Sequence, residues 1–217
     1  MLITQCEQGS DEWFNLRVNK FTGSRFAALM NRLKNGKPGS EYNELITEIT
    51  VERLTGCGIT PFINAAMKRG TELEPFGRAA YAEKTWSDVT ECGFVHHNTL
   101  SYVGISPDGL VGDDGLVEIK CPASQSKHLA ALLEGAHALE YHWQVQGQMW
   151  VTGRKWCDVV SYDPRWPEHL TLAITRVPYD PACGEALFSA CIEANDLVEL
   201  NIQKITATLA SPVKDTK

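Results

Sequence analysis

Ser106-Pro107-Asp108-Gly109, followed by Val117-Glu118-Ile119-Lys120-Cys121-Pro122, is the stretch on which the reading of this chain turns. Pro107 and Gly109 hold a turn around Asp108, and residues 116–121 read as a short strand. Glu118 and Lys120 lie two apart, so their side chains project from one face of a sheet. Ile119 points to the other face and into the core, which leaves its carbonyl as a further ligand. Two carboxylates and a lysine at one point suit phosphodiester hydrolysis. The acids are hard oxygen ligands for Mg²⁺, which lowers the pKa of a bound water and neutralises charge on the phosphate. An ammonium beside them orients the water or stabilises the pentavalent intermediate. The same residues also fit a blander account, since Pro-Asp-Gly is a common turn and Glu-x-Lys a frequent solvated ion pair.

Working outward, strands are expected at 89–96 and 101–106 before the motif, and at 156–162 and 169–177 after it. Helices are expected at 127–134 and 139–151 between them. Upstream, Ser10 caps a short helix to Val18. A second helix starts after Thr22-Gly23-Ser24 and runs through Phe26, Leu29, Met30 and Leu33. A loop follows at 35–40, then helices at 41–54 and 63–84, the latter perturbed or kinked by Gly70 and Pro75. An amphipathic helix at 182–207 precedes a polar, frayed tail at 211–217. Helices flanking a central mixed sheet make an α/β (α+β) architecture.

The 217 residues suit one domain, 1–217, able to bury a full core, and 43% hydrophobic with 22% charged is an ordinary globular composition. No apolar run spans a bilayer, and MLITQCEQGSDEW is too polar for a signal peptide. Seven scattered cysteines without a C-x-x-C pair read as reduced thiols of a cytosolic protein rather than a disulfide or zinc framework. The formal charge of −7 argues weakly against a nucleic-acid partner. Metal-binding carboxylates add to that charge, and Arg17, Lys20, Arg25, Arg32, Lys34 and Lys37 form a candidate basic patch, with Lys68 and Arg69 a second. The histidines His96, His97, His128, His137 and His142 lack ligand spacing and read as ordinary surface or core residues. Trp143, Trp150 and Trp156 read as core or subunit-contact residues.

Asp108 with Glu118-Ile119-Lys120 resembles the PD-(D/E)-x-K signature of restriction-endonuclease-like nucleases. Further words occur in the order seen in lambda-type exonucleases and YqaJ-like viral recombinases. They are Gln8-Gly9-Ser10-x-x-Trp13-x-x-x-Arg17, Thr22-Gly23-Ser24, Arg69-Gly70-x-x-x-Glu74, Ser106 to Leu110, Glu118 to Pro122, and Gln144-Val145-Gln146-x-x-Met149-Trp150-Val151. The resemblance spans about residues 8–164. It implies a restriction-endonuclease-like fold and a Mg²⁺-dependent 5′→3′ exonuclease on linear double-stranded DNA, leaving 3′ overhangs. Two ions per site are implied, with Mn²⁺ as a substitute. Asp108, Glu118, Glu74 and the Ile119 carbonyl correspond to metal ligands, and Lys120 to the catalytic lysine. Gln144 corresponds to a glutamine that bonds the lysine or the substrate. Gln146 is the lesser choice, because residues two apart on a helix face apart. Arg17 and Ser24 correspond to a 5′-phosphate pocket, in keeping with an arginine fork and a hydroxyl near a helix start; without the resemblance they read as an ion pair and an N-cap. The family implies a homotrimer ring, a single-strand annealing protein as partner, and phage or prophage origin with action in the host cytoplasm. Asn19-Lys20 departs from the family, where a glycine commonly follows the arginine, and the loop 33–42 has no clear counterpart. The rival readings are an endonuclease or junction resolvase with the same centre, and a catalytically silent DNA-end-binding protein.

Overall fold

The computed structural model describes residues 1–58 and 64–209. In chain order the N-terminal part holds β1 (Leu2–Thr4), α1 (Asp11–Arg17), β2 (Phe21–Thr22), a 3-10 turn (Gly23–Arg25), α2 (Phe26–Leu29), α3 (Ser40–Thr55) and α4 (Ala65–Thr85). The strands β3 (Val89–Thr90), β4 (Phe94–His96), β5 (Val103–Ile105), β6 (Gly109–Val111) and β7 (Gly115–Lys120) follow. Then come α5 (Gln125–Glu134), α6 (Ala136–Glu140), α7 (His142–Thr152), β8 (Trp156–Tyr162), β9 (Leu172–Pro178) and α8 (Pro181–Leu209).

The expected mixed α/β architecture is present, but its strands divide into two mixed sheets. One is ordered β1-β4-β5-β2 and the other β3-β6-β7-β8-β9. The strand expected over 89–96 supplies one half to each. Cys92 to Val95 are four consecutive buried residues, which period-two alternation cannot place on one face, so the chain changes sheet there. The expected helix over 139–151 is two, because Tyr141 leaves helical geometry at φ −104° and ψ 18°. The helix expected to reach Leu33 stops at Leu29, and Leu33 instead closes a tight hairpin with Lys37 (2.8 Å). That hairpin is the loop without a family counterpart. The expected start of α4 at 63 and the tail 211–217 lie outside the described residues.

Strand β7 pairs parallel with β8, Glu118 opposite Val159, and antiparallel with β6. Its alternation sorts side chains between two helices. Val117 and Ile119 pack with Tyr81 of α4, Val160 and Leu172 on one face. Leu116 packs with Val145 and Met149 of α7 on the other, the face of Glu118 and Lys120. Gly77 permits the first contact, since a Cβ there would stand 2.9 Å from Ile119 Cγ2. Helix α7 also reaches the smaller sheet, where Val151 and Trp150 join Phe21, Phe26, Ile105 and Leu187 in the largest core cluster. It is therefore wedged between the sheets. All seven cysteines are free thiols. No helix among the described residues is long and apolar enough to cross a membrane.

Candidate active site

Glu118 is 2% exposed, and its carboxylate accepts three hydrogen bonds. Lys120 Nζ and Gln144 Nε2 each donate to Oε1 at 2.5 Å, and Gln148 Nε2 donates to Oε2 at 2.7 Å. Lys120 also lies 4.1 Å from the Tyr141 ring centroid, which is where the break between α6 and α7 puts that ring. Asp108 accepts the Ile119 N–H on Oδ2 at 2.6 Å, tying the turn to the strand. Glu74, on α4, accepts from Arg78 at 2.7 Å, and Arg78 also bridges to Glu91.

Burial and neighbouring charge distort the titration of Asp108 and Glu74. Burial, then the charges of Glu118 and Glu74, raise the Asp108 pKa well above the usual carboxylate range, against Lys120 and the Ile119 N–H. Burial likewise raises Glu74, with Glu118 adding to it and Arg78 opposing. Burial works against the charge of Lys120, but Glu118 and Asp108 outweigh it and hold the ammonium above an ordinary lysine. The lysine is therefore a fixed cation at any working pH.

Arg17, in the last turn of α1, lies over the Trp13 ring at 4.1 Å. Its Nη2 donates to Ser24 Oγ at 3.0 Å and to Thr22 Oγ1 at 3.5 Å. Burial, then neighbouring Arg25, lowers its pKa to about 10 against Glu52 and Glu118, which leaves it charged at neutral pH. Ser10 caps α1 as expected, accepting from Trp13 N at 3.2 Å. Asn19 adopts φ 66°, the left-handed region that glycine enters freely and asparagine tolerates. Two side chains without an assigned role hold this region to the motif. Trp13 Nε1 donates to Ser106 Oγ at 2.8 Å, and Gln8 Nε2 donates to the Pro107 carbonyl at 3.0 Å.

A cavity of about 200 Å³ brings the two regions together. Arg17 and Ser24 line it with Glu74, Asp108, Ser106, Gln144 and Gln148. Glu118 and Lys120 do not line it themselves and join it through Gln144 and Gln148. Among the described residues, no group of three or more His, Cys, Asp and Glu side chains is arranged to hold a metal ion. Glu118 spends three acceptor sites on Lys120, Gln144 and Gln148, and Glu74 turns one oxygen to Arg78, which leaves its Oε2 without a partner among the described residues. The Ile119 side chain faces the opposite core, as its spacing requires.

Gln146 is excluded from this site. Its Nε2 donates to the Pro178 carbonyl and its Oε1 accepts from Asp180 N, both at 2.9 Å, so it pins the end of β9. Gln148 is the residue the sequence reading missed, although its i+4 relation to Gln144 placed it on the same helix face. The basic patch is largely spent internally: Arg25 forks onto Glu52 (2.6 and 3.2 Å), Lys20 bonds the Ser101 carbonyl, and Arg32 lies over Tyr42. Arg69 donates to the Cys121 and Pro122 carbonyls and to buried Asp163, fixing the exit of β7. His128 is a satisfied core histidine between Ser161 and Leu170 (2.8 Å each).

Residues 12–155 match the model of the YqaJ-like viral recombinase domain. The chain belongs to this family. Among solved structures, an alkaline exonuclease from Laribacter hongkongensis is 40% identical with a TM-score of 0.84, covering 93% of this chain and 98% of its own. The structure of that enzyme in complex with dAMP aligns at 39% identity and a TM-score of 0.85, with the same coverage. A phage-related exonuclease from Haemophilus somnus 129PT, 14% identical, shares the fold at a TM-score of 0.72 over 86% of this chain and 96% of that one. No curated protein matches the chain significantly. Gln8, Trp13, Arg17, Ser24, Glu74, Ser106, Asp108 and Gln144 of the sequence words quoted above line a single cavity, whereas Arg69 and Gln146 do not.

Proposed function

We propose that this deoxyribonuclease is a Mg²⁺-dependent exonuclease that digests linear duplex DNA 5′→3′ from 5′-phosphorylated ends and leaves 3′ overhangs for recombination. One observation carries the reading: Arg17 and Ser24 line the same cavity as Asp108, Glu74 and Gln144. An arginine fork and a hydroxyl suit a terminal phosphate, and its distance from the carboxylates is then a ruler for the scissile bond. The dAMP complex of the Laribacter enzyme supports a mononucleotide-sized product.

The donor set suits a hard divalent cation. Asp108 is buried among like charges and short of a positive one, as its raised pKa registers. The Ile119 N–H points at Asp108, and in a strand the carbonyl of the same residue points the same way. Asp108, Glu118, Glu74 and the Ile119 carbonyl would hold Mg²⁺, one or two ions, with Mn²⁺ as a substitute. Such an ion supplies a water of lowered pKa and neutralises charge on the phosphate. The chain's own residues do the remainder. Arg17 and Ser24 seat the end, Lys120 keeps a fixed positive charge beside the reacting phosphate, and Gln144 holds Lys120 and Glu118 in relation. On family resemblance we further propose a trimer ringing the duplex and a single-strand annealing partner, acting in the cytoplasm of a phage-infected or lysogenic host.

The test is linear duplex DNA with one 5′ end phosphorylated and one not, beside a closed circle, in Mg²⁺. Loss of the phosphorylated strand first, with an intact circle and an inert Lys120→Ala control, is expected. Nicking of the circle would move the protein to the endonucleases, and no metal-dependent cleavage would leave only end binding.

A further inference from the structure

We infer that Gln148 is a positioning residue for phosphodiester hydrolysis, fixing the plane of the Glu118 carboxylate through its second oxygen; this rests on the nuclease reading above. Lys120 and Gln144 both hold Oε1, and Gln148 is the donor on Oε2. The last torsion of a glutamate is broad. A carboxylate held at one oxygen still turns about that bond, and a second donor stops it.

The placement of Gln148 is rigid. It is 1% exposed, and it sits one helical turn from Gln144, so α7 presents two amides in register to β7. Helix α7 cannot slide to compensate, because it crosses α2 at Gly147 so closely that a Cβ would stand 2.2 Å from the Phe26 ring. The orientation of the amide is dictated by charge, since a flipped group would set its oxygen against Glu118.

The amide is also a poor choice for stability alone. Gln148 Oε1 is buried and has no hydrogen-bond partner among the described residues. A buried carbonyl without a donor destabilises the folded state; an apolar side chain of like size removes that penalty but leaves the buried Glu118 Oε2 without its donor, so the two effects oppose each other. What the amide contributes is its bond to Glu118. Stability is therefore expected to change little, whereas a positioning role alone predicts a large loss of rate.

The experiment compares Gln148→Met and Gln148→Glu with the wild type. It measures kcat and KM on linear 5′-phosphorylated duplex in Mg²⁺, and Tm in metal-free buffer. For Gln148→Met, kcat is expected to fall about tenfold or more, with KM within about twofold and Tm changed by no more than about 4 °C. Gln148→Glu, which keeps the shape but turns the donor into a second carboxylate, is expected to lose at least as much. A Gln148→Met enzyme with wild-type kcat overturns the inference, as does a Tm that falls in step with activity. A wild-type protein that leaves linear duplex untouched sinks the exonuclease reading itself, a separate result.

Discussion

At one end of the cavity Glu118 accepts three side-chain donors on two oxygens, and Asp108 is bonded to the strand beside it. At the other, the hydrogen bonds of Arg17 among the described residues run only to the hydroxyls of Ser24 and Thr22. The carboxylate end is crowded with negative charge that Lys120 offsets only in part, and burial together with Glu118 and Glu74 raises the Asp108 pKa against that lysine. The arginine end holds a half-buried cation that, among the described residues, pairs with no carboxylate. Opposite deficits across one cavity suit a substrate that brings a phosphate to one end and is cleaved at the other. The Trp13–Ser106 bond joins the two ends, so neither is free to drift relative to the other.

The sharpest way to break the comparison is at the carboxylate end. Lys120→Ala should reduce the cleavage rate on the order of 10²–10³-fold while end binding persists, the loss typical of one transition-state donor. Rate and binding measured separately check this, and equal losses in both would mean that the two ends are not divided by role. At the opposite end, Arg17→Ala should raise KM for phosphorylated ends roughly tenfold to hundredfold, the worth of a charge-assisted contact. Unphosphorylated ends should be little affected, so the preference between the two disappears; a loss shared by both substrates would assign Arg17 to general duplex binding.

Between them, Trp13→Phe keeps a ring under Arg17 and removes only the bond to Ser106. One neutral hydrogen bond is worth about 1 kcal/mol, so a roughly fivefold fall in kcat is expected. An unchanged rate would show that the ring alone sets the spacing. The smallest effect is on stability. Asp108→Asn retains an acceptor for the Ile119 N–H but removes the charge, and should raise the metal-free Tm by about 2–4 °C. The sign follows from linkage. A carboxyl whose folded pKa is raised contributes its stability below the unfolded pKa and loses it as pH rises through the folded value. The gain from Asp108→Asn should therefore be absent below about pH 4, grow as pH rises above it, and be full only above the folded pKa. Scanning calorimetry at both ends of that range checks it, and a gain on the acid side would reverse the assignment.

What was legible depended on distance along the chain. Glu118 and Lys120 were placed on one face by spacing alone, and β7, β8, α1 and α3 stand where the pattern put them, to within a residue or two. The two- and three-residue strands β1, β2 and β6 carry too few positions for alternation to register, and their pairing is supplied by neighbours distant in the sequence. The same limit hid the division into two sheets. Gln148 is hidden for a different reason: it occupies an unmatched position of the Gln144-to-Val151 word, and its kinship with Gln144 is a helix-face relation one full turn on.

By itself, the sequence determined the chemistry offered at β7, two acids and a lysine, together with the helix faces and caps around it, because these follow from backbone periods within a few residues. The words in order from Gln8 to Trp150 also sufficed to indicate the family. Only the tertiary structure decided that Arg17, Ser24 and Glu74 meet Asp108 in one cavity, that Gln146 holds β9 while Gln148 holds Glu118, and that most of the basic patch is spent on internal partners. Those outcomes depend on how α7 wedges between two sheets and α4 closes on β7 at Gly77, packing relations between segments far apart in the chain that no local period encodes.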